Sequence, residues 1–306
     1  MIGIVILNYN EWNISIDCIN SIRETCKKEK YRVYLVDNNS SIEMTSEFKQ
    51  YLKVSDDICF IENKNNKGYS AGNNVGIGQA LRDNCDFILI SNNDVIYKDN
   101  AIYSMKSFLT NNSEYGIVGP KIYTPNGKIQ EINMGCKMTL RGKYLFLLRK
   151  TPFRFLSDKF VDTFQATHQD MNYPFDVYAV SGCCFMLTKT TCEKMFPFDE
   201  NTFLYEEENI IGTRMENLGL KTCYNTDSEV IHLGGASTKG FSPFSYKCLV
   251  ESEIYYCMAY LKKSILQIFP LYVMRSLVYI ARYGIKDFSA YLKDTISKMK
   301  KKKRFD

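Results

Sequence analysis

The sequence predicts an α/β protein built on a Rossmann-like, mostly parallel sheet flanked by helices, with a helical C-terminal extension. Three observations lead there. Short apolar runs alternate with helix-period segments through the first half, each run ends in polar residues, and the chain from Phe244 onward reads as helix rich in Tyr and Leu. At 306 residues the chain has room for one large domain and an appendage, since single cores stop growing near roughly 250–300 residues. The expected division is a main domain over residues 1–240, in two halves (1–120 and 121–240), and a basic helical extension over 241–306.

The strands of the first half are expected at residues 3–7, 31–36, 58–62 and 86–91. Between the first two, residues 13–26 place Cys18, Ile19, Ile22 and Cys26 on one helical face. The strand ends read Asn8-Tyr9-Asn10, Asp37-Asn38-Asn39-Ser40, residues 63–66, and Asn92-Asn93-Asp94. Open parallel sheets bind ligands at the carboxyl ends of their strands, so these four ends predict a pocket. After Pro120 a Pro125-Asn126-Gly127 turn predicts a hairpin over 121–132, and residues 137–175 show no clean period, which reads as a long functional loop. A strand is expected at 177–188, a helix at 209–218 stopped by Gly219, and short strands at 221–224 and 229–232.

Composition narrows the classes. The net charge of +5 is concentrated in the block Lys298, Lys300, Lys301, Lys302, Lys303 and Arg304, which leaves the rest near neutral and without a nucleic-acid-binding face. A polybasic end beside apolar helices suits an anionic membrane surface; a solvated tail is the plain alternative. Eleven cysteines with no CxxC pair argue against a disulfide framework or zinc site and point to a reduced, cytoplasmic setting, with no export signal at the N-terminus. The longest membrane candidate, residues 264–274, is broken by Pro270 and closed by Arg275, so it is expected to lie on a membrane and not cross it.

Four places carry candidate chemistry. Asp94 follows the most apolar strand and suits a hard divalent ion, Mg²⁺ or Mn²⁺, held by one or two carboxylates plus substrate phosphates; an Asp here is also a common turn former. His232, one of two histidines, closes a strand before Gly234-Gly235, where an imidazole either ligates such an ion or caps the strand. Glu206-Glu207-Glu208 open a helix after Phe203-Leu204-Tyr205 and offer a base, although acids in a first turn are also favoured by the helix dipole. The stretch from Gly68 to Gly76 opens another helix and fits neither GxGxxG nor GxxxxGK[ST], which excludes a dinucleotide oxidoreductase and a P-loop enzyme.

In order, these segments resemble the family 2 glycosyltransferases, in particular the rhamnosyltransferase-like branch that builds bacterial surface polysaccharides. The resemblance covers about residues 1–240 and rests on Ile4 to Asn10, Val36 to Ser41, Asn66 to Asn74, Ser91 to Asp94, Ser181 to Cys184, Phe198 to Glu200, Tyr205 to Glu208 and His232 to Ser237. It implies the A-type glycosyltransferase fold, with a nucleotide-sugar half and an acceptor half. Asn8, Tyr9, Asn10, Asp37, Asn39, Asn66, Gly68, Asn73, Asn92 and Asn93 would border the donor, Asp37 reading its base. Asn92 and Asp94 occupy the ends of the family's Asp-x-Asp motif, and Asp94, His232 and the weaker Asn92 would hold Mn²⁺ or Mg²⁺. Glu207-Glu208 match the family's Glu-Asp pair, with Glu208 as base and Glu207 supporting, or the reverse in a shifted register. Ser181, Gly182 and Tyr205 would meet the acceptor. The implied partners are a UDP- or dTDP-sugar and a saccharide, carried on a lipid, at the inner face of the plasma membrane. The rival readings are a non-catalytic nucleotide-sugar-binding partner and a sugar nucleotidyltransferase, the second lacking here the Gly-rich basic loop after the first strand.

Overall fold

The computed structural model describes residues 1–132, 134–149, 151–234, 242–285 and 287–300. Residues 235–237 of the last motif and the basic block from Lys301 lie outside the described residues.

The strands are β1 (Ile2–Asn8), β2 (Tyr31–Asp37), β3 (Ile58–Glu62), β4 (Phe87–Asn92), β5 (Val95–Tyr97), β6 (Tyr115–Tyr123), β7 (Phe175–Val177), β8 (Cys184–Thr188) and β9 (Lys221–His232). The helices are α1 (Trp12–Thr25), α2 (Ser46–Lys53), α3 (Tyr69–Arg82), α4 (Ala101–Asn111), α5 (Leu140–Leu148), α6 (Asp158–Phe164), α7 (Lys189–Met195), α8 (Glu207–Asn217), α9 (Pro243–Ala259), α10 (Ile265–Tyr283) and α11 (Phe288–Lys300). Among the described residues one sheet forms in the order β3-β2-β1-β4-β8-β6-β9-β5, with β7 added on β9. The first four strands are parallel; β8 runs antiparallel to both β4 and β6, and β6 and β9 are parallel.

Successive residues on a strand face opposite sides. Ile4, Ile6, Leu35 and Leu89 therefore join α1 and α4 in one core, while Val5, Val36, Ile88 and Ile90 join α3 and α7 in the other. All eight are fully buried, which explains why these strands read as continuous apolar runs. The predicted face of α1 is in the first core, with Cys18, Ile19 and Ile22 fully buried.

Several expectations need correction. The strand expected at 177–188 is two pieces, because the Tyr178–Cys183 connection gives its backbone to side chains: Gly182 C=O accepts from the Tyr69 hydroxyl and Gly182 N–H donates to Glu208. The stretch expected to be loop over 137–175 contains α5 and α6. Its residues hide their periodicity because α5 buries only part of its surface, against α6 and α10. The helix expected at 209–218 starts two residues earlier, so Glu207 and Glu208 sit in its first turn, where the unpaired N–H groups favour acids. The strands expected at 221–224 and 229–232 are one strand, bent where its register with β6 shifts. The predicted hairpin forms: Gly127 N–H bonds Thr124 C=O at 2.9 Å and Gln130 N–H bonds Ile122 C=O at 2.8 Å.

The segment 264–274 is part of a longer helix, since α10 runs unbroken through Pro270 for 19 residues, long and apolar enough by length and composition to cross a membrane. Pro270, the sixth residue of the helix, removes the bond its N–H would make to Leu266 C=O and crowds that carbonyl. The opposite face of α10 carries Ile268, Leu271, Tyr272 and Tyr279, which pack with Tyr246, Val250 and Ile254 of α9, Tyr291 of α11, and Leu140, Tyr144 and Leu147 of α5.

Candidate active site

The register of the parallel strands sets Asn8 beside Asp37 and Leu7 beside Asn92, so three strand ends share one edge. Asn8 is fully buried. Its amide donates to Asp37 Oδ1 at 2.9 Å, and its oxygen accepts from Ser15 Oγ at 3.0 Å and Asn93 Nδ2 at 3.1 Å. Asn93 also donates to Ser15 Oγ and Glu11 C=O, which ties the β4–β5 turn to α1. Asp37 receives further bonds from Ser40 N–H and Ser40 Oγ. Asn10, at φ 65°, accepts Ser41 N–H at 2.7 Å and Ile42 N–H at 3.0 Å. Asn8, Asn10, Asp37 and Asn93 are thus the hydrogen-bonded wall of the edge, whereas Tyr9 and Asn39 face solvent.

A second wall comes from the start of α3. Asn38 donates to Asn66 Oδ1 at 2.9 Å and to Gly68 C=O at 3.2 Å, and with Asn63, Lys67 and Gly72 it lines a hollow of about 320 Å³. Gly68 has φ 94°, and a Cβ there would lie 2.2 Å from Phe203 O, so only glycine fits. Asn73 is fully buried and its amide nitrogen donates to Tyr69 C=O one helical turn back in α3.

Asp94 lies in the turn between β4 and β5, and β5 pairs with β9 so that Val95 is opposite His232. That pairing brings His232 Nε2 to 3.3 Å from Asp94 Oδ1. His232 Nδ1 is 3.0 Å from Gln130 Oε1. A hydrogen bond from Nδ1–H to that oxygen leaves the Nε2 lone pair directed toward Asp94. The pair fits a divalent ion: adjacent corners of an octahedral Mg²⁺ or Mn²⁺ shell are about 3 Å apart, and an oxygen–nitrogen pair at 3.3 Å matches that spacing. Among the described residues no group of three or more His, Cys, Asp and Glu gathers, so such an ion would complete its shell with water and substrate phosphate. Asn92 is half-buried beside the pair, its N–H bonded to Cys183 C=O.

Tyr205 (φ 73°) and Glu206 (φ 69°) are both left-handed, a tight turn that starts α8 abruptly and turns Glu207 and Glu208 inward. Glu206 is fixed by a buried ion pair with Lys143 at 2.7 Å; Lys143 also meets Glu253 of α9 at 3.6 Å, and Arg275 of α10 grips Glu253 with two bonds of 2.8 Å. Burial works against the Lys143 ammonium, yet Glu206 and Glu253 raise it above its ordinary value. Glu208 Oε1 accepts Gly182 N–H at 3.2 Å, and a Cβ on residue 182 would lie 2.9 Å from that oxygen. Burial pushes the Glu208 carboxyl up, against the lowering effect of the backbone N–H bonds. Burial and then the neighbouring Glu208 push Glu207 further up.

Glu208 faces a cavity of about 160 Å³ whose wall includes Gln130, Ile132, Val180, Ser181 and Tyr224. Gln130 therefore joins the two parts of the site, bonded to His232 and lining the hollow in front of Glu208. Ser181 lines that hollow and Gly182 borders Glu208, while Tyr205 holds the turn behind it. Sequence reasoning missed Gln130, Asn38, Tyr69 and Lys143. Asn38 carried a signal as the middle of a polar strand end, and Tyr69 as part of the Asn66 to Asn74 motif; Gln130 and Lys143 reach the site from a hairpin and α5.

The sequence pattern of Glycosyl transferase family 2 matches residues 3–195. The chain is 28% identical over 200 residues to the low-salt glycan biosynthesis hexosyltransferase Agl10 of Haloferax volcanii, a match covering 63% of this chain and 57% of that protein. It is 24% identical over 180 residues to the N-acetylglucosaminyl-diphospho-decaprenol L-rhamnosyltransferase of Mycobacterium tuberculosis, covering 57% and 55%. The chain thus matches little more than half the length of these relatives. Among solved structures it resembles GalNAc-T7 crystallised with UDP, GalNAc and Mn²⁺, with a TM-score of 0.60 at 14% identity over 98% of this chain and 57% of that one. It also resembles residues 1–349 of TarS from S. aureus, with a TM-score of 0.51 at 12% identity over 99% and 89%. At these identities the likeness is one of fold: the A-type glycosyltransferase architecture with helices added at the C-terminus.

Proposed function

Because the chain belongs to glycosyltransferase family 2, we propose that it moves a sugar from a UDP- or dTDP-linked donor to a lipid-carried saccharide, with inversion, in building a capsule, O-antigen or other cell-surface polysaccharide. The observation that carries this reading is Glu208: a desolvated carboxylate facing a hollow whose wall residue Gln130 bonds the histidine paired with Asp94.

Asp37 and the amides around it orient the nucleotide, and Asp94 with His232, Asn92 beside them, would hold Mn²⁺ or Mg²⁺. A bound ion supplies Lewis-acid stabilisation of the leaving charge. Glu208 takes the proton from the acceptor hydroxyl as that oxygen bonds to the anomeric carbon. The bond from that carbon to the diphosphate oxygen breaks on the opposite face, and the electron pair leaves with the diphosphate. The raised affinity of Glu208 for a proton makes it a stronger base than a solvated carboxylate. Ser181, Gly182 and Tyr205 shape the acceptor side, so residues 1–120 serve the donor, 121–240 the acceptor while lending His232 to the donor side, and 241–306 the membrane.

At the membrane, α10 would lie along the inner face of the plasma membrane. Its solvent face carries Leu266, Phe269, Val273 and Leu277, and its other face is packed in protein. Thermal stabilisation by a panel of UDP-, dTDP- and GDP-sugars tests the donor assignment. The expected result is a Mn²⁺-dependent rise in Tm for one nucleotide class and slow release of that nucleotide, lost in Glu208→Gln. Stabilisation with no Glu208-dependent release would refute the transferase reading in favour of a binding protein.

A further inference from the structure

Behind the Glu208 cavity lies a second hollow of about 370 Å³, lined by Arg149, Arg154, Asp158, Val161 and Gln165, with Glu131 shared between the two. Glu131 follows Gln130 on the predicted hairpin, so the hollows adjoin across that strand. Among the described residues neither arginine has a carboxylate within ion-pair distance. Arg149 is half-buried, its guanidinium 3.6 Å from the centre of the Phe146 ring, and burial pulls it below its ordinary value. A desolvated cation stacked on a ring, crowded by Arg275 and offset only in part by Glu131, is held ready for an anion that arrives with its own charge.

The residues flanking Arg154 are apolar and open: Phe153 is 58% exposed, Phe155 67% and Leu156 56%. Three large apolar side chains beside a guanidinium match a molecule with a phosphate at one end of a hydrocarbon chain. The polarity along the surface then runs from a base, to cations, to an apolar tip.

We propose that Arg149 and Arg154 seat the phosphate group of a lipid-diphosphate acceptor, with Phe153, Phe155 and Leu156 taking the first part of its apolar chain. The proposal rests on Glu208 as the acceptor-facing base, since that reading puts the acceptor's sugar in the adjoining hollow. Glu131 and Asp158 also line the arginine hollow, and Glu131 is bonded to Gln165 at 2.8 Å. Two carboxylates make it a poor trap for free phosphate, so the apolar chain and the sugar decide what stays bound.

Calorimetric titration with farnesyl diphosphate, inorganic pyrophosphate and farnesol, in EDTA to silence any metal site, tests this. Farnesyl diphosphate is expected to bind best, and Arg149→Gln with Arg154→Gln is expected to lower its affinity about tenfold or more. Phe153→Ser with Phe155→Ser should weaken farnesyl diphosphate and leave pyrophosphate unchanged. Co-sedimentation with phosphatidylglycerol vesicles should not change in the arginine variant. An unchanged affinity for farnesyl diphosphate overturns the proposal, and so does an equal loss for vesicles, which would make the hollow a membrane-headgroup site. An unchanged Tm and unchanged Mn²⁺-dependent stabilisation by UDP establish that the variants are folded. If the glycosyl-transfer reading itself fails, the intact protein releases no nucleotide from any sugar donor, while farnesyl diphosphate binding is still read on its own.

Discussion

At the carboxyl ends of β1, β2 and β4, Asn8, Asp37 and Asn93 use their hydrogen-bonding capacity on one another and on Ser15 and Ser40. At the start of α8, Glu207 and Glu208 are two carboxyl groups packed side by side with little solvent, on a turn of two left-handed residues. The first region has its carboxylate and amides satisfied by hydrogen bonds, which suits a surface that keeps its shape. The second sets two desolvated carboxyl groups against each other, which raises their proton affinity at a cost in stability. Under the proposed function the first region would hold and the second react, with Gln130 linking His232 to the hollow in front of Glu208.

The contrast is broken most severely at the metal pair. Asp94→Ala is expected to lower transfer about 10³-fold or more, while Tm without ligand shifts little and Mn²⁺-dependent stabilisation by nucleotide disappears. Substantial transfer by this variant in EDTA would remove Asp94 from the donor side. Next comes Glu208→Gln, expected to slow transfer by about 10²–10⁴ with donor affinity unchanged in equilibrium titration. Its pH signature has a definite sign. Burial raises Glu208, and a base works in its ionised form, so the wild-type rate should climb with pH through a point above the ordinary value of about 4.3. An acid limb at that ordinary value would contradict a desolvated base.

Asn93→Ala sharpens the other side. It removes the donor to Asn8, Ser15 and Glu11, while Asn8 Oδ1 and Glu11 C=O keep their bonds from Ser15, so urea unfolding should report a loss of about 0.5–1.5 kcal/mol. A neutral result would mean that the wall is held from elsewhere. The smallest expected effect is at Glu207. Its raised proton affinity means that the folded state keeps a proton that the unfolded chain releases above about 4.3, so stability is present at low pH and is lost as pH rises. Glu207→Gln should abolish that loss and raise Tm near neutrality by roughly 2 °C or more, with little change at pH 4. A variant less stable than wild type at neutral pH would show that the Glu207 charge is compensated.

Much of this architecture was legible in the chain. The four parallel strands were readable because each is buried on both faces and so is apolar at every position, and their polar ends marked the edge where Asp94 lies. Asp94 and His232 are 138 positions apart, yet one follows a strand and the other closes one, and strand ends were where ligands were expected. The region from Lys137 to Phe175 resisted reading because α5 and α6 bury their sides against other helices and leave no regular stripe. The strand over 177–188 was overcalled because its apolar residues suit a ladder, while Gly182 bonds to Tyr69 and Glu208 instead.

The sequence by itself determined the order of strands and helices, the polar edge and the residue types able to hold an ion or take a proton, because burial and backbone propensity act locally and leave periodic marks. Only the tertiary structure decided which of those residues are wall and which are reactive. Asn8, Asn93 and Asp37 look as open as Asp94 in the chain, but they are occupied by partners 3 to 85 positions away. Glu206, Glu207 and Glu208 are three identical side chains in a row. Lys143 neutralises the first, the second is sealed in, and the third meets a cavity, because the helix turn points each in a different direction.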